Sequence, residues 1–172
     1  MNRNALGVLS VFAVVTLSAC VTGLGWHSAN VSLLARSGSN VTGKVSFREA
    51  DGKLRVEAQV AGLTPGEHGF HIHELGDCSA PDATSAGGHF NPAGKAHGSL
   101  GSAEHHGGDM PNLVADAKGE AHYRAELSGL SLRGPNGIFG RSVIIHADPD
   151  DYKSQPAGNA GKRVACGIIV AG

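Results

Sequence analysis

The sequence predicts an all-β domain, an antiparallel sandwich or barrel of eight strands. Apolar residues recur with period two, turn-forming dipeptides punctuate the segments at short intervals, and helix periodicity is nearly absent. The first two strands are expected at 31–35 and 41–49. Asp51-Gly52 marks a tight hairpin into the third, 54–60, where Leu54, Val56, Ala58 and Val60 alternate with Arg55, Glu57 and Gln59. Thr64-Pro65-Gly66, in which proline presets the turn, leads to the fourth, 68–74. The fifth is 113–117, and Lys118-Gly119 signals a tight hairpin into the sixth, 121–127. There Ala121, Tyr123, Ala125 and Leu127 alternate with His122, Arg124 and Glu126, one apolar face backed by one wet face. The seventh and eighth are 141–147 and 164–170.

With 172 residues, 41% hydrophobic and 17% charged, the chain suits one globular domain, expected over 31–172. Residues 1–19 have the pattern of an export signal: Arg3 in a positive n-region, an apolar stretch over 5–17, then small residues. Leu17-Ser18-Ala19-Cys20 resembles a bacterial lipobox, so Cys20 is expected to carry lipid at the head of a tail spanning 20–30. The alternative is an ordinary signal peptide cleaved nearby, with Cys20 incidental. Lipidation of Cys20 would leave Cys78 and Cys166, which an oxidising compartment favours as a disulfide. The protein is therefore expected in the bacterial cell envelope, in the periplasmic space and anchored to a membrane, with a mild preference for the outer one. The formal charge is −1, and loss of Arg3 leaves 13 basic against 15 acidic residues, or −2. No basic stripe is present, so no nucleic-acid partner is implied.

Three connections are long: 75–110, 128–140 and 148–163. The first would be out of place in a compact domain unless function or cross-links hold it. It carries Cys78 together with His89, His97, His106 and Asp109, and its many glycines let the backbone turn closely enough to gather those side chains. His71 and His73, two apart on a strand, share a face, and His146 ends another strand after Val143-Ile144-Ile145. Seven metal-capable side chains exceed what one ion needs. Imidazoles suit zinc and copper, and the added carboxylate favours a zinc-like centre, so two metals sharing a site are expected. His27 and His122 fall outside this pattern, and spacing alone does not separate His105 from His106. A regular strand from His68 onward would set His68 on the face of Phe70 and Ile72, as a hydrogen-bonded structural residue.

The segments Gly69-Phe70-His71-Ile72-His73, Gly87-Gly88-His89-Phe90-Asn91-Pro92, His97-Gly98, His106-Gly107-Gly108-Asp109 and Gly158-Asn159-Ala160-Gly161-Lys162-Arg163-Val164-Ala165-Cys166-Gly167 closely resemble the copper/zinc superoxide dismutase family. The resemblance implies a Greek-key sandwich or barrel with long metal-binding and electrostatic loops. It implies copper on His71, His73, His89 and His146, and zinc on His89, His97, His106 and Asp109, with His89 a shared imidazolate. It favours His106 over His105. Asp150 matches a carboxylate linking a copper histidine to a zinc histidine, Cys78 and Cys166 match the family disulfide, and Arg163 matches a guanidinium that positions the anion. The implied reaction is disproportionation of superoxide to dioxygen and hydrogen peroxide, with His89 and Arg163 as catalytic residues. Lys153 and Lys162 are weaker candidates for guiding the substrate.

The chain departs from the family's eukaryotic members in three respects. Twelve residues separate Asp150 from Arg163, fewer than usual; the acidic pair of the guiding loop is missing; and Ala157 stands where a threonine is customary. A slightly wider, more apolar entrance is expected, and the changed surface leaves open whether a homodimer forms. The alternative function is an exported copper-buffering or copper-delivery module without turnover. Such a module needs neither an anion guide nor a bridging imidazole.

Overall fold

The structure, a computed structural model, describes residue 1 and residues 27–172. The expected leader and Cys20 lie outside the described residues. Ten strands form among the described residues: β1 Ser28–Ala35, β2 Thr42–Ala50, β3 Lys53–Ala61, β4 Gly66–His68, β5 Phe70–His73, β6 Leu113–Ala115, β7 Ala121–Leu127, β8 Ser142–His146, β9 Arg163–Ile168 and β10 Val170–Ala171. One short 3-10 turn, Thr84–Ala86, is the only helical element among the described residues. An antiparallel sheet runs β5-β8-β9-β1-β2-β3-β7, with β10 beside β1, and a separate pair joins β4 to β6.

The period-two pattern works as expected in β3, whose residues alternate exposed and buried along its length. Leu54, Val56, Ala58 and Val60 face a core that also holds Phe47, Phe70, Ile72 and Leu127. Each large side chain there contributes about 1.5–3 kcal/mol by leaving water. Asp51 and Gly52, both at positive φ, close the β2–β3 hairpin between the paired Ala50 and Lys53.

The long-range contacts correct three details. The expected strand 68–74 breaks at Gly69, which receives a hydrogen bond from the His146 N–H and gives its own N–H to the Asp148 carbonyl, each at 2.9 Å. A β-carbon on Gly69 would press on Ala160 at 2.8 Å. His68 therefore ends β4 in the small sheet while Phe70 begins β5 in the large one, so the regular strand that would put them on one face does not exist. His68 is nonetheless a buried, hydrogen-bonded residue, with Nδ1 at 2.8 Å from the His146 carbonyl and Nε2 against Thr64. The strand 164–170 also breaks, at Ile169, whose backbone turns to pair with Arg141 and Gly140. Lys118-Gly119 does form a turn, but β6 and β7 on either side of it part into different sheets.

Cys78 and Cys166 form a disulfide, tying the longest connection to β9 over a separation of 88 residues. Arg36, the residue after β1, donates twice to the Cys78 carbonyl, at 3.0 and 2.6 Å. The same loop is thus held by a covalent bond and by a cation.

Candidate metal centre

β5 carries His71 and His73 and lies at one end of the large sheet. The long connection passes beside it twice, in isolated bridges His73↔His89 and His71↔Asp109. Ile72 donates to the Gly108 carbonyl at 2.9 Å and accepts from the Phe90 N–H at 2.8 Å, so backbone bonds replace a regular strand partner. Glycine is required at 108, because a β-carbon there would collide with the Ile72 carbonyl. On the other side, β8 pairs with β5 and is irregular between Ile145 and His146, with His146 opposite Arg163. The irregularity re-aims the last side chain of β8, a use of bulges common beside functional sites.

Two groups of four ligand atoms result, His71, His73, His89 and His146 in one, His89, His97, His106 and Asp109 in the other. In each the atoms lie within 4.8 Å of one another, and all seven residues are buried. His89 belongs to both. Its ring centroid is 4.0 Å from that of His71 and 5.1 Å from that of His73, and 5.3 and 5.4 Å from those of His97 and His106. His105 is outside both groups, its Nδ1 bonded to the His106 carbonyl, and His122 is exposed.

Hydrogen bonds fix one nitrogen on most of these rings. His71 Nε2 donates to Asp150 Oδ2 at 2.8 Å and His97 Nε2 to Asp150 Oδ1 at 2.9 Å. His73 Nδ1 donates to the Gly87 carbonyl and His146 Nδ1 to the Gly161 carbonyl. His89 Nδ1 bonds Asp109 Oδ1 at 2.8 Å. The other nitrogens, His71 Nδ1, His73 Nε2, His89 Nε2, His97 Nδ1 and His146 Nε2, together with His106 Nδ1, are buried without a hydrogen-bond partner. Asp109 Oδ2 approaches His97 Nδ1 to 3.0 Å and Oδ1 approaches His106 Nδ1 to 3.4 Å, close but not aligned as hydrogen bonds. A buried polar atom left unpaired costs about 1–3 kcal/mol, so six unpartnered nitrogens converging on two points fit coordination of cations.

The electrostatics agree with that donor set. Burial pushes His71 and His73 well below the usual imidazole range, reinforced by neighbouring histidines, and burial brings His146 to about 4. His106 is lowered by burial as well. Neutral imidazoles are what ligation requires. Burial alone would raise the Asp109 carboxyl, but hydrogen bonds from His89 and from the Gly98 and His106 N–H groups outweigh it and hold it at about 2.

Arg163 is half-buried and fixed, donating to the Ala83 carbonyl at 2.7 Å and the Gly87 carbonyl at 2.8 Å. Its charge lowers both His73 and His146, so it acts on the first group. Lys153 and Lys162 are exposed, and Ala157 is half-buried.

Asp150 is itself cradled. Its backbone N–H and carbonyl pair with the Asn112 side-chain amide, each at 3.0 Å, and the Tyr152 N–H reaches Oδ1 at 2.7 Å. A β-carbon at Gly158, where φ is +67°, would collide with Asp150 Oδ1. Sequence patterns do not single out Asn112 or Gln155. Gln155 receives the His97 N–H on Oε1 and donates from Nε2 to the His97 carbonyl, both at 2.9 Å.

Comparison with known proteins identifies relatives of this site. The sequence matches the family described as copper/zinc superoxide dismutase (SODC) over residues 41–169. A protein of Aquifex aeolicus (strain VF5) named Superoxide dismutase [Cu-Zn] 2 is 44% identical over 147 residues, 82% of this chain and 85% of the relative. The Extracellular superoxide dismutase [Cu-Zn] of Brugia pahangi is 40% identical over 148 residues, 81% of this chain and 74% of the relative. Among solved structures, the crystal structure of the clock protein EA4 superposes with a TM-score of 0.78 at 40% identity, covering 84% of this chain and 94% of that one.

Proposed function

The chain belongs to the copper/zinc superoxide dismutase family, and from that premise we propose that its two buried groups hold copper and zinc and that it disproportionates superoxide to dioxygen and hydrogen peroxide. The observation that carries the reading is the convergence of six unpartnered, buried imidazole nitrogens on two groups that share His89. His71 Nδ1 and the Nε2 atoms of His73, His89 and His146 form the copper set. His97 Nδ1, His106 Nδ1, His89 Nδ1 and Asp109 form the zinc set, a nitrogen-rich group with one carboxylate as zinc accepts. Holding both ions requires His89 to lose both ring protons, which two adjacent cations make feasible.

Copper held by His71, His73, His89 and His146 would supply the one-electron redox chemistry that disproportionation of superoxide needs. The residues of this chain do the rest. The fixed guanidinium of Arg163 attracts the anion and orients it beside the copper set. His89 Nε2 has no protein partner, so whenever it is not engaged in the copper set it can take a proton and give it to the forming peroxide, while Nδ1 stays on the Asp109 side. Asp150 fixes the tautomers of His71 and His97 by accepting from both Nε2 atoms. A copper store would need no cation held against its ligands, so Arg163 favours turnover. Superoxide consumption by metal-reconstituted protein, compared with Arg163→Ala, tests this. A reconstituted wild type with no activity, or an Arg163→Ala protein as active as wild type, would defeat it.

Residues 1–19 as an export leader, 20–30 as a tail bearing lipid on Cys20 and 31–172 as the catalytic domain complete the proposal. The pattern of the leader supports it, as does the word Extracellular in the name of the Brugia pahangi relative. The protein would then sit in the periplasmic space on a membrane. Mass spectrometry of the mature N-terminus reads this directly, and an unmodified chain beginning beyond Cys20 would rule it out. A homodimer would cover Leu34, Ile168 and Val170, apolar residues exposed on the adjoining strands β1, β9 and β10; sedimentation of the mature domain decides it.

A further inference from the structure

His97 is held by every polar group it has except Nδ1. Its Nε2 goes to Asp150, its N–H to Gln155 Oε1 and its carbonyl to Gln155 Nε2. The next N–H, of Gly98, goes to Asp109 Oδ2. Three of these four anchors come from the 148–163 connection, and two come from a single side chain. Gln155 is well suited to the task, because a primary amide offers one acceptor and two donors in one plane and can bracket a peptide unit from both sides. His97 is buried, so its backbone N–H and carbonyl would otherwise need other partners. The Gln155 carboxamide is itself steadied by a second donation, to the Lys153 carbonyl at 3.3 Å, and the turn before it is capped by Asp151, which accepts from the Lys153 and Ser154 N–H groups.

We propose that Gln155 is a positioning residue for the second metal: by clamping the main chain of His97, it holds that Nδ1 on the zinc set before any ion arrives. The proposal rests on the zinc assignment above. Asp150 fixes the ring of His97 and Gln155 fixes its backbone, so the shortened guiding connection and the metal-binding loop are joined twice, independently of metal. Neither carbon truncation nor a charge can replace the amide. Gln155→Ala removes both bonds, and Gln155→Glu keeps the acceptor for the His97 N–H while setting a carboxylate oxygen against the His97 carbonyl.

The test is titration of the metal-free full domain with cobalt(II), whose visible bands report tetrahedral coordination, followed by competition with zinc. Copper affinity is measured in parallel. Removing a group that orients a ligand typically lowers metal affinity by 10–100-fold. Gln155→Ala is expected to bind cobalt at least about tenfold more weakly at the zinc set, with distorted bands and copper affinity within about twofold of wild type. Gln155→Glu should show a smaller loss in the same direction. If Gln155→Ala fails to fold, the isosteric Gln155→Glu decides alone. Wild-type cobalt affinity and bands in the variants, or an equal loss at both sets, would overturn the proposal. A wild-type protein that takes up no second ion would instead defeat the zinc assignment on which it rests.

Discussion

Besides the shared His89, Asp150 links the two groups, one carboxylate accepting from His71 and His97. Asp150→Asn would turn an amide N–H₂ toward one of those two ring donors, so one histidine loses its orienting bond. We expect metal affinity to fall roughly 10–100-fold at the affected set, read by chelator competition, while the fold persists. Gly158→Ala should produce a similar loss by a different route, since the new methyl group occupies the space of Asp150 Oδ1. Wild-type metal binding in either variant would contradict the role given to Asp150. The two groups of metal-capable side chains are legible in the sequence because histidines at strand spacing and in glycine-rich turns make a pattern. Gln155 was not legible, because an exposed polar residue in a loop has no periodicity and shows its purpose only through the His97 main chain it touches.

β5 and β8 show where strand reading stops. Period two sets His71 and His73 on one face and an apolar run marks β8, but neither shows that Gly69 bonds to His146 and Asp148 across the molecule, where one sheet ends and another starts. The same pairing makes His68 a brace for the end of β8. His68→Leu would leave the His146 carbonyl without its donor, at a cost of about 1–3 kcal/mol, seen as a lower denaturant midpoint. The 78–86 region is braced differently, by the disulfide and by Arg36. Closing a loop of 88 residues stabilises the fold by about 4.6 kcal/mol in the chain-entropy account. The double variant Cys78→Ser, Cys166→Ser should lose about that much in chemical denaturation, whereas a loss under about 1 kcal/mol would mean that Arg36 and the core suffice.

For the whole molecule, charge and proton balance set the conditions of activity. The formal charge of −1 opposes an anionic substrate, so the proposed reaction would need local attraction, for which Arg163 is the proposed source. Added salt should slow superoxide consumption by wild type, and Arg163→Ala should lose roughly tenfold or more in rate together with most of that salt dependence. Without metal, the buried histidines give an acid-sensitive fold. His146 titrates at about 4 when folded, and His71 and His73 also lie below their unfolded range. The unfolded chain therefore binds more protons from about pH 6.5 downward, and stability is lost as pH falls through that window toward about 4. Melting of the metal-free protein across it should show a falling Tm, and a flat Tm would contradict the buried neutral state. The central claim is that one imidazole joins both metals. Electron paramagnetic resonance of protein with copper(II) in both sets tests it most directly: two ions bridged through His89 should be magnetically coupled, and His89→Ala should restore two independent signals. Two uncoupled signals in the wild type would contradict the claim.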